Sequence, residues 1–266
     1  MSLHIEKLGH GEPLVMIHGW GMHSGMWMQA KDLLSQHFEL HLIDLPGMGY
    51  SESLSEYELD KVAQEIALFT PKNAYLLGWS LGGLIAMKIA MHQPVKKLVL
   101  IGSTPCFVNR EDWQLGTPIE VFQTFVADVI QDFESAMHKL LALIAIGGGN
   151  ARGTAKVLKQ AFSARPLPSE KALQDTLNIL LHTDLRQELS QITVPTLLLH
   201  GEHDKLAPIG AAVWLSTALP NAKLHEIKGA AHEPFLSHPQ VFADTIRSEE
   251  HTSELQSRLH LVCRLL

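Results

Sequence analysis

The chain predicts an α/β fold: a mostly parallel central sheet with flanking helices and an inserted helical block. Three observations carry that prediction. Short apolar runs alternate with helix-patterned stretches along most of the 266 residues. The run Leu14-Val15-Met16-Ile17 is apolar throughout, as a strand covered on both faces should be. Between Ser103 and Leu189 the alternation stops, and apolar residues recur only at helical spacing.

Taken in chain order, the strand runs are Leu3 to Lys7, Pro13 to Ile17, Leu40 to Ile43, Ala74 to Leu77, Lys97 to Ile101, Thr196 to His200 and Leu224 to Ile227. The helical block carries Phe122, Phe125, Val126, Val129, Ile130, Phe133, Met137, Leu140, Leu141 and Ile144 at i, i+3, i+4 spacing. It reads as a cap, residues 104–189, inserted after the sixth strand of a core formed by 1–103 and 190–247. Gly147-Gly148-Gly149 interrupts the cap helices and is a candidate hinge. Gln240 opens a terminal helix with Val241, Phe242 and Ile246 on one face. From Ser248 onward that periodicity fails, so 248–266 is an atypical tail, read as vector-derived readthrough or as a genuine variable end.

The chemistry centres on Gly78-Trp79-Ser80-Leu81-Gly82, which joins the run Ala74 to Leu77 to the helix-like stretch Leu84 to Ala90. A strand-turn-helix of this composition strains the backbone to lift a serine hydroxyl above a sheet end. That hydroxyl needs a base to take its proton, and the base needs an acid to fix its tautomer. Asp204 and His232 each follow a strand run, which brings both to the sheet edge that carries Ser80. Among 16 histidines, His232 is marked by its Gly229-Ala230-Ala231 loop after the last strand. Glu202 rivals Asp204 as the acid. Asp44, in Asp-Leu-Pro-Gly, suits a turn-stabilising role better than an orienting one. The tetrahedral oxyanion needs two N–H donors: that of Leu81, after the nucleophile, and one from the loop after the third strand, His18-Gly19-Trp20-Gly21. Trp20 is assigned the second donor, with a packed aromatic as the competing reading, and His18 braces its loop.

Together these residues resemble the α/β-hydrolase superfamily over Leu3 to Arg247, and within it the carboxylesterases of biotin synthesis. The resemblance rests on His18 to Gly21, His41 to Gly47, Gly78 to Gly83, Ser103 to Phe107, Thr183 to Gln187 and Ala230 to Phe235. It implies the α/β-hydrolase fold and hydrolysis of the methyl ester of pimeloyl-acyl carrier protein, releasing methanol. It further implies Ser80 as nucleophile, His232 as base and Asp204 as orienting acid, with Trp20 and Leu81 at the ester end. Leu140, Leu141, Ala142, Leu143 and Ile144 would line the acyl pocket. The cap cations Lys139, Arg152, Lys156 and Lys159 are a candidate docking patch for acyl carrier protein, against the plainer reading of a solvated helix face. Arg152, Lys156 and Lys159 share a face by their i, i+4, i+7 spacing.

Bulk properties bound the alternatives. A formal net charge of −7 argues against nucleic acid as a general partner. The segment Met1 to Lys7 is too polar for a signal peptide, and no apolar run approaches the ~18 residues of a membrane span. Two cysteines far apart, Cys106 and Cys263, suggest neither a disulfide framework nor a zinc site. A cytoplasmic monomer is expected, and acyl transfer at a serine requires no cofactor and no metal. A broad short-chain carboxylesterase acting on small-molecule esters, and a ligand-binding receptor on the same scaffold, stay open as rival functions.

Overall fold

In the computed structural model, which describes residues 2–248, the apolar runs form one sheet of β1 (Ile5–Gly9), β2 (Glu12–Ile17), β3 (Phe38–Ile43), β4 (Tyr75–Trp79), β5 (Lys97–Ile101), β6 (Thr196–Gly201) and β7 (Ala222–Ile227). Their order is β1-β3-β2-β4-β5-β6-β7. β1 runs antiparallel to β3, and every other pairing is parallel. Parallel strands end at the same edge, so the loops after β2, β3, β4, β5, β6 and β7 gather there. Central β4, β5 and β6 are buried along their whole length, whereas the edge strands β1 and β7 are only partly covered. Continuous apolar runs therefore mark the centre and mixed ones the edges.

The sheet is covered by α1 (Met28–Leu34), α2 (Leu59–Ala67), α3 (Leu81–His92), α8 (Ile209–Ala218), the short α9 (Pro234–Ser237) and a helix over 239–248. α3 is buried from Leu81 to Ala90. Its one buried cation, Lys88, is matched by Asp60 at 3.0 Å and Glu188 at 2.8 Å, as a charge taken out of water must be. Between β5 and β6 stand α4 (Ile119–Gln131), α5 (Phe133–Ala145), α6 (Ala151–Phe162) and α7 (Glu170–His182). Among the described residues no helix is long and apolar enough to cross a membrane.

Several details differ from the sequence reading. The loop 18–21 follows the second strand rather than the third, and the helical block follows the fifth rather than the sixth. The apolar series from Phe122 to Ile144 spans two helices: Asp132 leaves helical geometry at φ −153° and caps α5 by accepting from the Ser135 amide at 3.0 Å. Within α4, Val129 is buried and Ile130, the next position round the helix, faces solvent. In the last helix Val241 is exposed, and the buried face is Phe242, Ala243 and Ile246. Gly147 adopts φ +91°, and Gly149 donates its amide to the Gly229 carbonyl at 3.1 Å, which ties the glycine run to the loop that carries His232. Of the atypical tail, only Ser248 lies within the described residues.

Candidate active site

β4 delivers the chain to Ser80, which sits at φ +56° and ψ −119° before α3 begins at Leu81. A positive φ at a non-glycine residue costs on the order of 1–3 kcal/mol and persists only where its surroundings enforce it. Here the Ser80 amide donates to the Ile101 carbonyl at 2.9 Å, and the Ser80 carbonyl accepts from the Gly83 amide at 2.9 Å and the Ser103 hydroxyl at 3.0 Å. A Cβ at Gly78 would run into the Gly82 carbonyl, and one at Gly82 into the Ile17 carbonyl of β2. The glycines of the pentapeptide are thus required by close packing of turn, helix and neighbouring strand.

Asp204 and His232 meet across the ends of β6 and β7. Asp204 Oδ2 lies 2.7 Å from His232 Nδ1, and Oδ1 accepts from the amides of Leu206 and Ala207, each at 2.9 Å. Burial alone would raise the Asp204 carboxyl. The His232 ring beside it and the Ala207 amide outweigh burial and hold it below the ordinary carboxylate range. The imidazole is fixed from the other side by its backbone: the His232 carbonyl accepts from Trp79 Nε1 at 2.9 Å, and its amide donates to the Ile144 carbonyl of α5 at 3.2 Å. Glu202, the rival acid, instead accepts from the Gly229 amide at 3.0 Å.

The loop after β2 lies beside the serine turn. No hydrogen-bond acceptor is present for the backbone N–H groups of Trp20 and Leu81 among the described residues. The Trp20 indole donates to the Leu173 carbonyl of α7 at 3.0 Å and packs edge-on against Phe125, 5.5 Å between ring centres. His18 is buried and accepts from the Leu45 amide through Nε2 at 2.9 Å, so its proton is on Nδ1, which donates to the Gly19 carbonyl at 2.8 Å. Burial pushes its pKa down to about 4, against the opposing pull of Asp44, so the ring stays neutral and braces the loop.

A cavity of about 490 Å³ opens over these residues. Trp20, Ser80 and His232 line it from the core, and Leu140, Leu143 and Ile144 of α5 from the helical insertion. Leu141 and Ala142 do not line it. On α5 the positions 140, 143 and 144 share one face, while Leu141 turns into the packed interior and Ala142 to solvent. Leu81 is wholly buried beneath the turn and can reach the cavity only through its backbone. Phe107, Phe122, Phe125, Leu177 and Leu206 also form the wall. Phe122 and Phe125 stood in the helical pattern, but periodicity cannot tell a core face from a cavity face. Lys139 lines the cavity and is ion-paired with Asp128 at 2.8 Å. Arg152, Lys156 and Lys159 project from the exposed face of α6, and none has an ion-pair partner among the described residues.

A serine on a strained strand-to-helix turn, a histidine backed by a buried aspartate and an apolar cavity above them define a serine-hydrolase arrangement. The chain belongs to the α/β-hydrolase family, whose model matches residues 12–239. It is 38% identical over 255 residues to the pimeloyl-[acyl-carrier protein] methyl ester esterase of Nitrosospira multiformis, covering 92% of this chain and 97% of that one. It is 41% identical over 244 residues to the enzyme of the same name from Nitrosomonas europaea, covering 91% and 96%. Among solved structures, an esterase from Exiguobacterium antarcticum superposes with a TM-score of 0.84 at 26% identity, covering 93% of this chain and 94% of that one.

Proposed function

We infer that this protein is a carboxylic ester hydrolase that cleaves the methyl ester of pimeloyl-acyl carrier protein in biotin synthesis. The observation that carries the chemistry is the buried His232–Asp204 pair at 2.7 Å, opening with Ser80 onto one apolar cavity. The substrate class is supported by relatives of that name, which match over nine-tenths of the chain. A neutral, apolar acyl chain ending in a methyl ester suits walls of leucine, isoleucine and phenylalanine.

In the proposed cycle Ser80 Oγ attacks the ester carbonyl while His232 takes its proton. The amides of Leu81 and Trp20 receive the negative charge on the carbonyl oxygen. His232 then protonates the departing methoxide, and methanol leaves. The same histidine deprotonates a water, which hydrolyses the acyl-serine to the free carboxylate and regenerates the hydroxyl. Asp204 keeps the imidazole proton on Nδ1 and stabilises the ring when it becomes charged. The helical insertion serves as the cap over the acyl chain. Arg152, Lys156 and Lys159, without ion-pair partners among the described residues and on one face of α6, form the docking surface for the acidic carrier, while Lys139 is already engaged by Asp128.

The test compares hydrolysis of the carrier-bound methyl ester with that of p-nitrophenyl acetate. Wild type should favour the carrier ester in kcat/KM. Ser80→Ala should lose nearly all activity on both, down to the ~10³ to 10⁴-fold over water that binding and oxyanion donors retain without a nucleophile. Equal rates on both esters would replace this reading with a broad short-chain esterase. An active Ser80→Ala protein would reject the mechanism.

A further inference from the structure

Arg165 lies in the segment between α6 and α7, yet its side chain turns inward and is only 11% exposed. The neighbouring Leu167 is left in solvent. Nη1 donates to both oxygens of Asp44, at 2.7 and 2.6 Å, and lies 2.8 Å from the Ser24 hydroxyl. The guanidinium also stands 5.0 Å above the Tyr50 ring and 3.5 Å from Glu6. Asp44 is fully buried and accepts in addition from the amides of Ser24 at 2.7 Å and Tyr50 at 3.0 Å. The helical insertion therefore places a cation on a carboxylate that joins the loop after β2 to the loop after β3.

That carboxylate is one step from the oxyanion loop. Asp44 holds the turn whose next amide, Leu45, donates to His18 Nε2, and His18 Nδ1 in turn donates to the Gly19 carbonyl. The Gly19 carbonyl and the Trp20 N–H belong to one planar trans peptide and point in opposite directions. Fixing the carbonyl fixes the direction of the donor. The insertion grips the same loop at two further points: the Trp20 indole donates to the Leu173 carbonyl at 3.0 Å, and His23 Nε2 lies 3.4 Å from the Phe162 carbonyl at the end of α6. The Gly25 amide donates to His23 Nδ1 at 3.1 Å, which leaves the proton on Nε2 to make that contact.

We propose that Arg165 is a positioning residue for hydrolysis, acting through Asp44 and His18 to hold the Trp20 amide at the angle an oxyanion requires. The insertion then sets the geometry of the reacting end of the site as well as covering the acyl chain. A plain buried ion pair would also stabilise the fold, so a decisive test must separate stability from turnover. Removing one partner of such a pair leaves an uncompensated charge, whereas removing both relieves it.

The experiment measures kcat, KM and thermal midpoint for Arg165→Met, Arg165→Lys and the double variant Arg165→Met/Asp44→Asn, with p-nitrophenyl butyrate as a small ester that needs no carrier. An oxyanion donor is worth ~10² to 10³ in kcat, so a misaimed one should cost about 10- to 100-fold. Arg165→Met should show that loss in kcat with KM changed less than about two-fold, and Arg165→Lys should regain part of it. In the double variant the midpoint should recover while kcat stays low. Recovery of kcat together with the midpoint, or a wild-type kcat in Arg165→Met well below its midpoint, would overturn the proposal. The inference rests on the serine mechanism above, and the two fail differently. Hydrolysis that survives Ser80→Ala removes the mechanism, whereas Ser80-dependent hydrolysis indifferent to Arg165 removes only this coupling.

Discussion

His232 selects Asp204 over Glu202 for a reason that lies in the turn after β6. Asp204 points into the interior, where two amides two and three residues on hold Oδ1 and leave Oδ2 for the imidazole. Glu202 sits on the solvent side and spends its carboxylate on the Gly229 amide. Beneath the pair runs Gly102 at φ +48°, immediately after β5. A Cβ there would stand 2.9 Å from His232 Nδ1 and 3.0 Å from Asp204 Oδ2, too close for either to remain in place. Gly102→Ala should therefore lower kcat, by about 10-fold, because it strains a left-handed backbone position and pushes the pair apart by tenths of an ångström, where a full 1 Å misplacement costs ~10²-fold. Steady-state kinetics with near-UV circular dichroism checks it. A folded Gly102→Ala enzyme with unchanged kcat would show that the pair has room to shift without consequence.

At the scale of elements, α6 offers the cleanest separation of binding from chemistry. Thr154, Leu158 and Ala161 are buried, while Arg152, Lys156 and Lys159 stand on the opposite side and do not line the cavity that holds Ser80 and His232. Reversing Arg152 and Lys156 to Glu should raise KM for the carrier-bound ester about ten-fold or more and leave p-nitrophenyl acetate unaffected. The wild-type preference should also weaken as ionic strength rises. Equal loss on both esters would show that the helix supports the fold and docks nothing. The same element shows what the sequence could disclose. Central strands were legible because both faces are buried and the apolar run is unbroken. Edge strands shifted by a residue or two because β7 alternates only weakly. The serine turn was legible because its glycines answer to contacts within a few residues or one neighbouring strand. Asp204 is preferred to Glu202 by its place in the loop after the sixth strand run and by the resemblance, and the direction of that turn, which local sequence does not specify, is what puts it against His232. Leu141 and Ala142 were assigned to the cavity with their neighbours because a contiguous stretch ignores the helical period. Arg165 gave no local signal at all: its partners lie 121 and 141 residues away in the chain.

For the whole molecule, the pH dependence of stability is set by buried groups that oppose one another. His18 stays neutral down to about 4, whereas an unfolded histidine takes up its proton near ~6.5. Between those values the unfolded chain binds more protons, so stability falls as the medium is acidified through that window. Asp204 adds to this in stronger acid, because its depressed carboxyl stabilises the fold only while ionised. Glu233 acts in the other direction. It is fully buried beside His232, and neither carboxyl oxygen has a hydrogen-bond partner among the described residues. Burial raises its pKa to about 8, with the Asp204 charge adding to the effect. An unfolded glutamate ionises near ~4.3, so from there to about 8 the native state binds the extra proton and stability declines as pH rises. His18, together with His23, whose ring is likewise pushed down by burial, opposes Glu233 up to about pH 6.5, and above it the Glu233 slope prevails. Wild-type stability should accordingly fall between pH 6.5 and 8. Glu233→Gln, which keeps the shape and removes the ionisation, should flatten that fall. The gain is about 1.4 kcal/mol for each unit by which the native pKa exceeds the unfolded one, reached in full only near pH 8. Denaturant unfolding of both proteins at pH 5, 6.5 and 8 measures it directly. A difference between them that is the same at all three values would mean that Glu233 holds no extra proton in the native enzyme.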